Sequence, residues 1–309
     1  MKYVVVLGDG MADRPIAELG DQTPLAYAET PTMDQLAAVS EIGMVHTIPD
    51  GMKPGSDTAN LSVLGYNPRI YYSGRSPLEA LSIGVDMKDT DIALRCNLVT
   101  LSEEEENYED RTIIDHSSGE ISTADAAVLL DAVREGLENE TYKFYVGTSY
   151  RHLLIWDRGE VVELTQPHDV LGQTIGQYLP EDAVLREMMK KSYDILVNHP
   201  INVERKKKGL NPANSCWFWG AGTKPALSSF EEKTHLKGAM ISAVDLLKGI
   251  AVGASMKVIE VEGANGGLNT NYEGKAQAAI DVLTKEGYDF AYIHVEAPDE
   301  CVRMQIGVG

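Results

Sequence analysis

Two acids stand at the ends of apolar runs, where metal-assisted chemistry would need them. Asp9 follows Tyr3-Val4-Val5-Val6-Leu7 and lies between Gly8 and Gly10, two residues whose lack of a side chain suits close approach of a ligand to the backbone. Asp299 follows Phe290 to Val295 in the text Ala297-Pro298-Asp299-Glu300. Hard carboxylate oxygens of this kind suit Mg²⁺ or Mn²⁺, and added histidine would suit Mn²⁺ or Zn²⁺. Ser56, in Pro54-Gly55-Ser56-Asp57-Thr58-Ala59-Asn60, is the candidate nucleophile, a hydroxyl that a metal on Asp9 would activate. Its plainer role is to cap a helix. Lys275, after Thr270-Asn271-Tyr272-Glu273-Gly274, is either an exposed helix lysine or a cation for a transferring phosphoryl group. Arg75 is a possible anion anchor, and the polar turn Asp115-His116-Ser117 and the pair Arg151-His152 add polar groups in which the two histidines rank second, since a lone His is more often structural.

Elements must bring these residues together. Residues 3–7 read as a strand buried on both faces of a parallel sheet, and 256–261 and 290–295 read as two more. Between the latter pair runs a helix with Ala279, Ile280 and Leu283 on one face and Gly287 as its stop, which closes a βαβ unit. Functional groups gather at the carboxyl ends of strands in open α/β sheets, so Asp9 and Asp299 are expected to meet. The middle of the chain reads as α+β. An alternating strand begins near Asp91, the acidic run Glu103–Glu106 is a solvated loop, and Ser122 with Asp125 opens a helix through Leu130 and Val133. Lys143–Trp156 and Val161–Leu164, joined by Asp157-Arg158-Gly159, read as a β-hairpin. A helix follows over about 182–197, and the basic run Arg205–Lys208 is expected to be a solvated loop. The whole predicts an α/β protein: a mostly parallel sheet domain over 1–90 and 186–309, with a smaller α+β domain inserted at 91–185.

Composition limits the function. The 309 residues carry 27 basic and 47 acidic side chains, a net charge of −20 that repels nucleic acid and anionic membranes. An anionic substrate must therefore be held by local cations. Three widely spaced cysteines, Cys96, Cys216 and Cys301, fit a reducing compartment better than a disulfide framework. The apolar stretch 238–256 is interrupted by Asp245 and Lys248, so no membrane span and no signal peptide are expected, and the location predicted is the cytoplasm.

Taken together the motifs resemble the cofactor-independent phosphoglycerate mutases, in the branch first recognised in archaea, within the alkaline phosphatase superfamily. The resemblance rests on Leu7-Gly8-Asp9-Gly10, Pro54 to Asn60, Gly74-Arg75-Ser76-Pro77-Leu78-Glu79-Ala80, Asn211-Pro212-Ala213-Asn214, Trp219-Gly220-Ala221-Gly222, Asn269 to Lys275 and His294 to Glu300. It implies an alkaline-phosphatase-like domain holding two divalent metal ions, Mn²⁺, Mg²⁺ or Zn²⁺, with no 2,3-bisphosphoglycerate. Asp9 and Ser56 would belong to one metal and Asp299 to the other. Ser56 would take the phosphoryl group of 3-phosphoglycerate and return it to the other hydroxyl, Lys275 would stabilise the phosphoryl oxygens, and Arg75, Arg151 and the Asp115-His116 turn would face the substrate. A homoserine kinase-like phosphotransferase of the same family is an alternative, and a non-catalytic remnant is another.

The resemblance also marks a departure. Family members continue Pro-Asp-Glu-Cys with Gly-His and later supply an Asp-His pair and a further His. Here Arg303 stands where a metal-binding His is expected, and a guanidinium cannot replace a neutral imidazole. The expectation is a C-terminally truncated member whose residues 302–309 arise from a frameshift or premature stop, with impaired metal binding and an apolar sheet edge left exposed.

Overall fold

The protein is described by a computed structural model covering residues 1–303, with side chains through Cys301. The expectation for residues 302–309 thus lies outside the described side chains. In chain order the strands are β1 (Tyr3–Gly8), β2 (Ile92–Leu101), β3 (Ile113–Asp115), β4 (Tyr142–Thr148), β5 (Arg151–Trp156), β6 (Ser215–Thr223), β7 (Gly238–Ile241), β8 (Lys257–Val258) and β9 (Phe290–Val295). The chain divides into two compact units, residues 1–72 with 226–309 and residues 73–225.

The first unit is built on a parallel sheet of order β1-β9-β7-β8. β9 carries Ala291 and Ile293 into a core with Ala239, Ile241, Ala279, Val282 and Leu283. The Tyr272–Thr284 helix covers this core, capped at its start by Asn271, whose side chain accepts from the Gly274 N–H. Ile280, expected on its apolar face, is exposed, because the turn of the helix puts Ala279, Val282 and Leu283 inward instead. β8 and β9 are not neighbours either, since β7 lies between them.

The second unit is an antiparallel sheet around β2, which pairs with β6 on one side and with β5 and then β3 on the other. Every residue of β2 is buried, so the strand expected to alternate is covered on both faces. The Thr123–Leu137 and Ala183–Leu196 helices bury Leu129, Leu130, Val133, Leu185, Met189 and Leu196 in its core. Ser122 and Asp182 cap them by accepting from Asp125 N–H and Leu185 N–H.

This compact unit spans 73–225, where the sequence led us to expect an insertion at 91–185, and it is about as long as the first unit. β6 pairs along the length of β2, and the Arg75–Ser82 helix packs beside both, so 73–90 and 186–225 join it. The hairpin also differs from expectation: it is β4 with β5, turning at Ser149-Tyr150, and residues 157–164 form no strand. The turn is set by Gly147, where a Cβ would sit 2.2 Å from the Arg151 carbonyl oxygen. The basic run lies at the end of the Pro200–Lys207 helix, and Arg205 is buried there, donating to the Asn211 and Ser118 carbonyls.

Candidate active site

Parallel pairing of β1 with β9 sets Leu7 opposite His294 and Gly8 opposite Val295, and Asp9 N–H continues the ladder to the Val295 carbonyl at 2.9 Å. Residues 285 positions apart in sequence are thereby brought to one carboxyl edge. His294, fully buried, places Nε2 3.2 Å from Asp9 Oδ2 and 3.2 Å from Glu296 Oε2, with Nδ1 3.3 Å from Ser242 Oγ just past β7. Gly10, at φ +69°, lies so close to the start of the Ala297–Arg303 helix that a Cβ would sit 2.7 Å from Asp299 Cα. Only glycine fits this approach without strain.

Two overlapping donor sets result, Asp9 with His294 and Glu296, and Glu296 with Asp299 and Glu300; the ligating atoms of each lie within 4.8 Å of one another. The Glu296 Oε2 atom is buried and accepts no hydrogen bond. Burial pushes its carboxyl above the usual range; His294 opposes that, while Asp9, Asp299 and Glu300 add to it. Four carboxylates and one imidazole, with a buried Glu296 oxygen that has only the His294 ring as an ion-pair partner among the described residues, fit a hard divalent cation.

Lys275 lies beneath this edge. It is 2% exposed and donates from Nζ to the His294 carbonyl at 3.0 Å, and burial pushes its ammonium below the ordinary value, with Glu296 opposing. Ser56 is the first residue of the Ser56–Val63 helix; the cap position belongs to Gly55, so the hydroxyl is not used as an N-cap. The start of that helix is tied to β9 through Asn60, which donates from Nδ2 to the Ser56 carbonyl at 2.8 Å and accepts from Tyr292 OH at 2.6 Å. Tyr292 and His294 project to the same face of β9. Burial, reinforced by Asp9, pushes the Tyr292 hydroxyl upward.

The other expected residues lie in the unit 73–225. Asp115 oxygens accept from Ser117 N–H and Oγ, Gly119 N–H and Asn211 Nδ2, all within 3.0 Å. Burial alone would raise this carboxyl, but those hydrogen bonds hold it below the usual range. Its position is that of a brace for the turn carrying His116. The His116 ring meets Tyr150 and His168 edge to face, and His168 meets Trp219 likewise. Arg75 and Arg95 share Glu79, at 3.0 and 2.7 Å. Burial pushes the Arg95 guanidinium down from its ordinary value; Glu79 opposes, and Arg75 and Arg151 reinforce. A cationic patch thus stands in a strongly acidic protein.

Sequence reasoning missed His294 and Glu296 as ligand candidates, and Arg95, Glu79 and His168 in the second unit. His294 and Glu296 were findable: they alternate at the carboxyl end of a strand, as Asp9 follows another. Arg95 sits inside an apolar strand and gave no such signal.

A family profile described as 2,3-bisphosphoglycerate-independent phosphoglycerate mutase matches residues 37–202. A Methanosarcina barkeri protein of that name is 52% identical over 305 residues, covering 97% of this chain and 74% of the relative. Among solved structures, a Pyrococcus horikoshii protein superposes with a TM-score of 0.78 at 32% identity, over 97% of this chain and 71% of that one. A cofactor-independent phosphoglycerate mutase from Thermoplasma acidophilum gives a TM-score of 0.58 at 30% identity, over 96% and 77%. With the profile spanning more than half of the chain, and a half-identical relative spanning nearly all of it, the chain belongs to the 2,3-bisphosphoglycerate-independent phosphoglycerate mutase family.

Proposed function

We propose that the chain interconverts 3-phosphoglycerate and 2-phosphoglycerate through a phosphorylated Ser56, without 2,3-bisphosphoglycerate. Ser56 Oγ attacks phosphorus, the bond from phosphorus to the substrate's 3-oxygen breaks, and glycerate is formed with a proton on that oxygen. Glycerate turns, its 2-hydroxyl attacks phospho-Ser56, and the serine recovers its proton, so none is consumed overall. The observation that carries this reading is the cluster of Asp9, His294, Glu296, Asp299 and Glu300 at one sheet edge, with the start of the Ser56 helix tied to the same strand.

Divalent cations, Mn²⁺, Mg²⁺ or Zn²⁺, held by Asp9, Ser56 and Asp299 with His294, Glu296 and Glu300, would supply Lewis-acid charge neutralisation and a lowered hydroxyl pKa. Lys275 holds the backbone carbonyl of His294, the residue whose ring faces the acids; its ammonium would also offset the negative charge on the transferred group. Arg75, Arg151 and His116, with Arg95 and His168 beside them, would anchor the substrate's anionic ends. A parallel sheet with acids at its carboxyl edge supports an alkaline-phosphatase-like reading of this unit. The three unpaired cysteines fit a cytoplasmic location.

The test is conversion of 3-phosphoglycerate in a coupled assay with Mn²⁺, together with radiolabelling of the protein. Ser56→Ala should lose the label and at least about a thousandfold in rate while still melting cooperatively. Retained labelling would reject Ser56 as the nucleophile.

A further inference from the structure

We propose that Glu79 is a positioning residue, whose carboxylate grips the Nε edges of Arg75 and Arg95 and presents the two guanidinium groups as one preformed cradle for an anionic end of the substrate. This rests on the reading of residues 73–225 as the substrate's anion anchor.

Glu79 lies four residues after Arg75 on the Arg75–Ser82 helix, so the two would pair on any exposed helix. What is unusual is the second partner. Arg95 comes from β2, with only 8% of its side chain exposed, and Glu79 itself is 13% exposed. Oε1 accepts from Arg75 Nε at 3.0 Å and Oε2 from Arg95 Nε at 2.7 Å. A guanidinium has five N–H donors in a fixed fork, and gripping it at Nε leaves the end-on edge between its two terminal amino groups for another acceptor. Arg75 keeps 41% of its side chain exposed, so it remains accessible to an anion.

Arg95 is further fixed by stacking, its guanidinium carbon 4.7 Å from the Trp219 ring centroid. Trp219 Nε1 donates to Asn97 Oδ1 at 3.0 Å, and Asn97 Nδ2 donates to the His116 carbonyl at 3.2 Å. One hydrogen-bonded and stacked path therefore runs from Glu79 to the His116 turn. Arg151 and His168 lie within electrostatic reach of the same pair, with Asp169 beside His168. Gly74, at φ +116° and packed where a Cβ would lie 3.0 Å from Gly222 Cα, sets where the helix carrying Arg75 and Glu79 begins. A mostly buried ion trio is a poor device for stability, because packed apolar side chains would serve as well. As a device for holding two like charges in one geometry it is effective, since the intervening carboxylate offsets their repulsion.

The experiment is a titration of the full chain, without metal, with 3-phosphoglycerate, read by calorimetry and by tryptophan fluorescence. Glu79→Gln preserves shape, loses one acceptor and raises the local charge by one. Charge alone predicts tighter anion binding in this variant. Loss of the clamp predicts binding weaker by about tenfold, together with loss of the slowly exchanging Arg75 and Arg95 Nε–H signals in NMR spectra. Glu79→Asp keeps the charge, and with it the compensation of Arg95, but is too short to reach both partners; it is expected to weaken binding similarly with a melting temperature close to wild type. Equal or tighter binding by either variant would overturn the clamp while leaving the anchor intact. Absence of 3-phosphoglycerate binding by the wild type would overturn the anchor reading and the clamp with it.

Discussion

His152 shows how a single buried side chain ties this fold to pH. Its Nδ1 accepts from Gly147 N–H at 3.1 Å, and its Nε2 is buried without a hydrogen-bond partner among the described residues. Burial, with Arg134 reinforcing, pushes its pKa from 6.5 to about 4. The folded state therefore keeps the ring neutral, while the unfolded chain takes up a proton below about pH 6.5. The stabilisation is fully present above pH 6.5 and is lost as pH falls toward 4, a total of about 3 kcal/mol. His152→Phe, which cannot protonate, should narrow its stability gap to wild type, or reverse it, between pH 7 and pH 4.5; urea midpoints at the two values measure this. A gap independent of pH would mean that the ring titrates normally. Glu296→Gln separates two roles by sign. Removing a repelled buried charge should raise the melting temperature of the metal-free protein, while Mn²⁺ binding, followed by calorimetry, should weaken by at least about tenfold. The placement of Asp9 and Asp299 at one sheet edge was legible in the sequence because each follows an apolar run that reads as a strand. The meeting of His294 with both Asp9 and Glu296 was not, since it depends on a strand register between chain ends.

At the scale of elements, a hydrogen bond of a buried tyrosine ties the helix that carries Ser56, the proposed nucleophile, to the sheet. Tyr292→Phe removes the donor to Asn60 Oδ1 and leaves that oxygen buried, which costs about 1–3 kcal/mol in denaturant unfolding. The same variant should lower the rate of Ser56 phosphorylation more than it weakens substrate binding, because the helix start, and not the anion patch, loses its tie. An unchanged unfolding midpoint would show that water replaces the hydroxyl. Elements were legible where local rules decide them: the cap at Ser122, the helix starting near 182 and the run at 290–295 follow from side-chain type alone. They failed where a neighbour decides. The hairpin turns at Ser149-Tyr150 and not at Asp157-Arg158-Gly159, because Gly147 admits the Arg151 carbonyl and no other residue would. Arg205 left the solvated run because two carbonyls from elsewhere in its unit take its donors.

For the whole molecule, net charge and an exposed strand pull in opposite directions. β1 occupies the edge of its sheet among the described residues, and Val4 and Val6, which project to one face, are 51% and 66% exposed. A strand of this composition is normally covered on both faces, and an open apolar edge is a template for pairing with another copy. The charge of −20 resists that encounter, but only over the Debye length, about 30 Å at 0.01 M salt and about 3 Å at 1 M. Self-association is therefore expected to increase with salt, the reverse of what surface ion pairing between copies would give. Light scattering coupled to size exclusion, at 20 mM and 500 mM sodium chloride, should show mass above that of one chain only at the higher value. Val6→Lys, which places a charge on the open face, should keep the protein at the mass of one chain in both. Association that persists unchanged in Val6→Lys, or that weakens with salt, would place the contact elsewhere on the surface.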